Sequence, residues 1–161
     1  MGSITVRQLS PDDWELERDL RLAALTDAPS AFGSTLADTQ LFTARDWRQR
    51  LAGQVRFAAW LDCVPVGTIG CAPARDPYPD RAAILVGTWV APAARGQGVA
   101  NWLVATVTRW CHDHGYPELW LSVTHGNVAA ERLYARHGFE RTGTDLEGDA
   151  DTFDMHLSLR R

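Results

Sequence analysis

Between Ala83 and Asn101 an apolar run, Ala83-Ile-Leu-Val-Gly-Thr-Trp-Val-Ala91, turns through Pro92-Ala-Ala-Arg-Gly-Gln-Gly98 into a long amphipathic segment that begins at Val99. A strand that passes through a glycine-rich turn straight into a helix commits the chain to an α/β arrangement, because the strand needs neighbours and the helix must cover them. The same order builds an anion cradle. Gly96 and Gly98 lack side chains, so successive backbone N–H groups can line one concavity, and the first helical turn adds unpaired donors and the positive end of the helix dipole. A pyrophosphate fits such a place. Two better-known phosphate loops do not: a dinucleotide fingerprint needs a third glycine where Asn101 stands, and no Gly-Lys-Ser/Thr follows for a nucleoside triphosphate.

Further on, Leu119-Trp-Leu-Ser-Val123 reads as a strand, and Asn127-Val-Ala-Ala-Glu-Arg-Leu-Tyr134 as a short helix. Asn127 is positioned as its N-cap, Ala130, Leu133 and Tyr134 share one face, and Gly138 stands where a left-handed C-cap is expected. Arg95-Gly-Gln-Gly98-Val-Ala100, followed by Asn127-x-x-Ala130-x-x-Leu133-Tyr134-x-x-x-Gly138-Phe139, resembles the two signature segments of the GNAT family, the Gcn5-related N-acetyltransferases. The likeness covers about Ala83 to Phe139, the acyl-coenzyme A half of that fold.

The resemblance implies a three-layer α/β/α domain on a mixed, centrally splayed sheet, and acetyl-CoA as acyl donor with no metal. It implies that backbone groups of Trp89 and Val90 pair with the pantetheine arm. The amides of Arg95, Gly96, Gln97, Gly98, Val99, Ala100 and Asn101 would hold the pyrophosphate. Asn127 would steady the pantetheine or its loop, and Tyr134 would face the thioester sulfur as general acid. As a plain reading of the residues, Tyr134 is equally a helix-face aromatic, Asn127 only a cap, and Arg95 a solvated cation. Many members of the family carry a glutamate base on the splayed strand, and here Gly87-Thr88-Trp89-Val90 offers no carboxylate. His125 is the base candidate by its ordinary pKa, with Glu131 and Asp80 behind it, though as a residue past a strand it is also a plain loop histidine.

The 161 residues, 45% apolar and 22% charged, suit one domain: residues 1–82 shape the acceptor side, 83–139 form the acyl-CoA core and 140–161 close the sheet. A net charge of −4 argues against nucleic acid and leaves room for a cationic amine. No apolar run reaches membrane-span length and the N-terminus lacks the marks of a signal peptide, so the chain reads as cytoplasmic. Cys63, Cys71 and Cys111 read as reduced thiols, and Cys111-His112-Asp113-His114 as core and surface rather than a zinc site. Seven tryptophans permit a homodimer interface, although core packing accounts for them equally.

Along the rest of the chain, strands are expected at Ile4–Gln8, Val55–Leu61, Val64–Cys71, Arg141–Leu146 and Thr152–Leu159. Helices are expected from Pro11 to about Thr26, and from a cap at Thr43 to Gly53. Loops are expected at Pro29–Gln40 and Pro73–Asp80. In the long helix, Val99, Leu103, Val107 and Cys111 form one core stripe. The expected activity is transfer of acetyl from acetyl-CoA to a primary amine of a small molecule, by direct attack in a ternary complex. A peptide or protein amine as acceptor, and an acyl-CoA-binding module without turnover, are the alternatives.

Overall fold

The computed structural model describes residues 2–143 and 145–160. Its strands are β1 (Ile4–Gln8), β2 (Val55–Leu61), β3 (Val64–Pro73), β4 (Ala83–Val90), β5 (Glu118–Thr124), β6 (Glu140–Arg141) and β7 (Thr152–Ser158). They form one mixed sheet in the order β1-β2-β3-β4-β5-β7-β6. The helices are α1 (Trp14–Asp27), α2 (Leu36–Gln40), α3 (Ala44–Gly53), α4 (Val99–Asp113) and α5 (Val128–Arg136). The chain is thus α/β with a mixed sheet, as expected.

It divides into two compact units interleaved in sequence: residues up to Gly70 with Gly87–Leu103, and Cys71–Val86 with Val104 onward. In the first, β1 and β2 pair antiparallel from Ile4 with Leu61 to Gln8 with Phe57. The β2–β3 turn is Asp62-Cys63, both at positive φ, the geometry that matches the twist of a tight hairpin. Pro11–Asp13 is a single 3-10 turn leading into α1, and α3 begins with a reciprocal cap in which Asp46 N–H donates to Thr43 Oγ1 and Thr43 N–H to the Asp46 carboxylate. Leu20 and Ala24 of α1 and Leu51 of α3 bury against Leu9, Ala58 and Trp89, the apolar cluster of this unit. Within the stretch expected to be loop from Pro29 to Gln40, Thr35 caps the short α2 by accepting from Asp38 N–H.

In the second unit β4 and β5 run parallel, pairing Ala83 with Leu119 and Ile84 with Trp120. Antiparallel β5 and β7 pair from Glu118 with Ser158 to Thr124 with Thr152. Leu119, Leu121 and Val123 of β5 and Phe153 and Met155 of β7 are buried in alternation, and Val107 and Cys111 of α4 are fully buried. The strand expected over Arg141–Leu146 is reduced to Glu140–Arg141; Thr144 lies outside the described residues. Carboxylates take the backbone instead. Leu146 N–H donates to Asp154 Oδ2 and Glu147 N–H to Asp145 Oδ1, so these amides serve a side-chain-stabilised turn rather than a ladder.

Candidate active site

The turn between β4 and α4 follows from three local facts. Pro92 opens a 3-10 turn, Arg95 returns to extended backbone, and Gly96 and Gly98 take φ of +78° and +91°, where side chains are rarely tolerated. A Cβ added at Gly96 would meet nothing within 4 Å, and one at Gly98 only Ile4 Cδ1 at 4.0 Å, so the turn faces open space. Gln97 Nε2 donates back to the Ala93 carbonyl at 3.2 Å, holding its side chain along the outer surface of the turn. Val99 and Ala100 begin α4, whose first-turn amides have no carbonyl below them within the helix.

One residue that sequence reasoning missed anchors this turn. Asp27, the last residue of α1, accepts from the Trp89 indole at 3.0 Å and pairs with the Arg95 guanidinium, whose Nε also donates to the Val90 carbonyl at 3.0 Å. The Arg95 side chain therefore ties the turn to β4 and α1. A carboxylate at a helix C-terminus opposes the helix dipole, and that misplacement is the signal that could have marked Asp27. The indole N–H first, and Arg95 second, hold its carboxyl below the ordinary value of 3.8. A lowered folded pKa means that the stabilisation is full above the unfolded value and is lost as pH falls through the folded one. Asp27→Asn is accordingly expected to lower the melting temperature by a few degrees at neutral pH, and the gap to the parent should close below pH 3.8 in melts across acid pH.

Behind the same strand lies a second missed group. Arg56 of β2 is 1% exposed; it donates to Thr68 Oγ1 at 2.7 Å and to the Gly87 carbonyl at 3.2 Å, and its Nε stands 3.4 Å from Glu17 of α1. Arg50 of α3 meets the same Glu17 oxygen at 3.3 Å. Arg21, one turn along α1, donates to Ser34 and lies over the Phe32 ring. Burial, then the like charges of Arg50 and Arg56, lower the Arg21 guanidinium to about 10. Glycine makes the room: a Cβ at Gly70 would stand 2.4 Å from Arg56 Nη1. A charge inside Val55-Arg-Phe-Ala-Ala, facing a strand broken by glycines, was the readable signal.

In the second unit, Asn127 Oδ1 accepts from Ala130 N–H at 3.2 Å, so the cap expected for α5 is present. Tyr134 is buried on α5, its ring edge-on to Phe139 at 5.7 Å. His125 is exposed; its backbone N–H donates to the Asp151 carbonyl and its ring leans on Phe153. Glu131 pairs with Arg141, and Asp80 is exposed. Cys111 Sγ lies 3.6 Å from Cys71 Sγ, and that contact together with burial pushes the Cys111 thiol up, which makes it a poor nucleophile. His112 turns to Asp113 and His114 stacks on Trp110, so the Cys-His-Asp-His run does not converge. Among the described residues no group of three or more potential metal ligands is assembled, and no helix is long and apolar enough to cross a membrane.

The model of the acetyltransferase (GNAT) family matches residues 19–139, well over half of the chain. The chain belongs to the GNAT family. This GNAT chain is 37% identical over 79 residues to N-acetyltransferase 8B of Rattus norvegicus, a stretch covering 48% of the chain and 36% of that protein. It is 29% identical over 149 residues to the mycothiol acetyltransferase of Brachybacterium faecium, covering 89% of the chain and 44% of that protein. The GNAT chain thus spans less than half the length of these curated relatives. Its fold is that of the PaiA N-acetyltransferase of Thermoplasma acidophilum, solved in complex with coenzyme A, with a TM-score of 0.72 at 17% identity over 97% of this chain and 99% of that one.

Proposed function

We propose that this GNAT chain transfers the acetyl group of acetyl-CoA to a primary amine of a small molecule, by direct attack within a ternary complex. The observation that carries the reading is the open turn at Arg95–Asn101, with Gly96 and Gly98 at positive φ and nothing crowding either one. In this reading the amides from Arg95 to Asn101 grip the pyrophosphate and the edge of β4 at Trp89 and Val90 takes the pantetheine arm. Asn127 steadies the arm, and acetyl-CoA supplies the activated acyl group. The buried Tyr134 hydroxyl protonates the departing thiolate, and the backbone N–H near Val90 polarises the thioester carbonyl. The high pKa of the Cys111 thiol favours direct attack over an acyl-enzyme on that residue.

No side chain on β4 offers a carboxylate base; His125, exposed beyond β5, is the proposed acceptor of the amine proton. The expected outcome of calorimetry is micromolar or tighter uptake of acetyl-CoA and CoA, and a panel of amines should release free thiol with an acetylated product seen by mass. Absence of uptake by folded protein would remove the reading. Uptake without thiol release from any amine would leave an acyl-CoA-binding module instead, and product on peptide amines alone would move the acceptor to a polypeptide.

A further inference from the structure

β5 has two unlike faces. Leu121 and Val123 are buried on one, and α5 lies on that side: Glu131 of α5 pairs with Arg141, whose guanidinium sits 3.8 Å over Phe153, the β7 partner of Val123. The opposite face carries Ser122, in register with Asp154 of β7. Asp154 is fully buried and its carboxylate is held by neutral donors. Ser122 Oγ at 2.8 Å and the Tyr78 hydroxyl at 3.3 Å both donate to Oδ1, and Leu146 N–H donates to Oδ2 at 2.8 Å. Burial pushes the Tyr78 hydroxyl, which also meets Ser122, up to about 12, so it stays a donor at neutral pH. A carboxylate only accepts, so Ser122 commits its one hydrogen inward. Ser122 itself is exposed, and the oxygen it leaves at the surface is an acceptor. β4 pairs with β5 at Ala83 with Leu119 and Ile84 with Trp120, whereas β7 follows β5 on to Thr124. Ser122 therefore lies on the stretch of β5 that β4 has already left.

We propose that Ser122 is a further catalytic residue, whose oxygen accepts a hydrogen bond from the N–H of the attacking amine, and that Asp154 is the positioning residue that fixes it as an acceptor. The inference rests on the acetyltransferase reading above, in which acetyl-CoA lies along the edge of β4. As the nitrogen lone pair forms the new C–N bond and the carbonyl π pair moves to oxygen, the nitrogen gains a positive charge and its N–H becomes a stronger donor. The contact to Ser122, with the Asp154 carboxylate behind it, is then stronger in the transition state than in the ground state, so it acts on turnover. A serine free to rotate would donate to the amine lone pair as readily as it accepts, and would compete with the carbonyl for that pair. Asp154 removes the option. Because Ser122 keeps its own hydrogen, removal of the amine proton stays with the proposed His125. The proposed acid, Tyr134, belongs to the helix on the other face, so acid and amine anchor approach from opposite sides of the sheet.

The test is single-turnover thiol release from acetyl-CoA with the panel of amines. Ser122→Ala is expected to lower the maximal rate by about 20-fold, the range of a hydrogen bond to a charged group, with the half-saturating amine concentration moved by less than about 3-fold. Ser122→Thr keeps the hydroxyl and should stay within about 3-fold of the parent. In Asp154→Asn the amide can donate to Ser122 and turn its hydrogen outward, so this variant should be as slow as Ser122→Ala. The double variant should be no slower than either alone, because Asp154 acts through Ser122. Calorimetry of CoA should give affinities within about 2-fold of the parent for both Ser122 variants, and thermal melts check folding; if Asp154→Asn does not fold, the Ser122 pair decides. Ser122→Ala within about 2-fold of the parent rate, or Ser122→Thr as slow as Ser122→Ala, overturns the inference and leaves the transferase reading standing. A parent protein that takes up acetyl-CoA and releases no thiol to any amine overturns that reading and this inference with it.

Discussion

Tyr134→Phe is expected to lower kcat by about 100-fold while leaving the affinity for acetyl-CoA within a few-fold of the parent, the lower end of what a positioned general acid supplies. The substitution removes one oxygen and keeps the ring. That ring is buried edge-on to Phe139 at 5.7 Å, so the packing of α5 survives and the melting temperature should move by a few degrees at most. The result separates two roles. A hydroxyl that only anchors the helix changes stability and not turnover; one that gives its proton to the departing thiolate changes turnover and not stability. Single-turnover kinetics must first show that chemistry limits the rate. If it does and the variant turns over like the parent, Tyr134 is no acid.

The parts of the molecule that were readable beforehand are those whose cause is local. The turn before α4 is written in Gly96 and Gly98, α5 in Asn127 and Gly138, and the β2–β3 hairpin in two short apolar runs around Asp62-Cys63. Each is decided within a few residues, and each was found. The charged groups were not, because their partners are distant in the chain: Asp27 meets Arg95 across 68 residues, and Arg56 meets Gly87 across 31. A pattern of period 2 or 3.6 carries no information about such pairs. The strand expected to reach Leu146 failed for a related reason. Its last amide, Leu146 N–H, goes to the Asp154 carboxylate and the next one, Glu147 N–H, to Asp145, so a side-chain-stabilised turn competes successfully with the ladder there. The arginines around Glu17 have the same long-range origin, since Arg21, Arg50 and Arg56 come to it from α1, α3 and β2.

That cluster makes Glu17 the residue whose loss is expected to cost the fold most. Glu17→Ala should destabilise the protein by about 3–5 kcal/mol, the range for breaking a buried pair and leaving its partner uncompensated. Glu17 and Arg56 have side chains 1% exposed, so neither can turn to water without opening α1 from the sheet, and Arg50 loses its partner as well. The contacts are long, at 3.3 and 3.4 Å, and Glu17 Oε2 has no partner among the described residues, which places the cost toward the lower end of that range. Urea unfolding is the measurement, with the slope unchanged if the unfolded state is the same. The double variant Glu17→Ala, Arg56→Met separates charge from volume: with both ions gone the cavity remains but the uncompensated cation does not, and most of the stability should return. A Glu17→Ala variant within about 1 kcal/mol of the parent would mean that the three arginines are not held by this carboxylate, and that the positive charge behind β4 is solvated rather than buried.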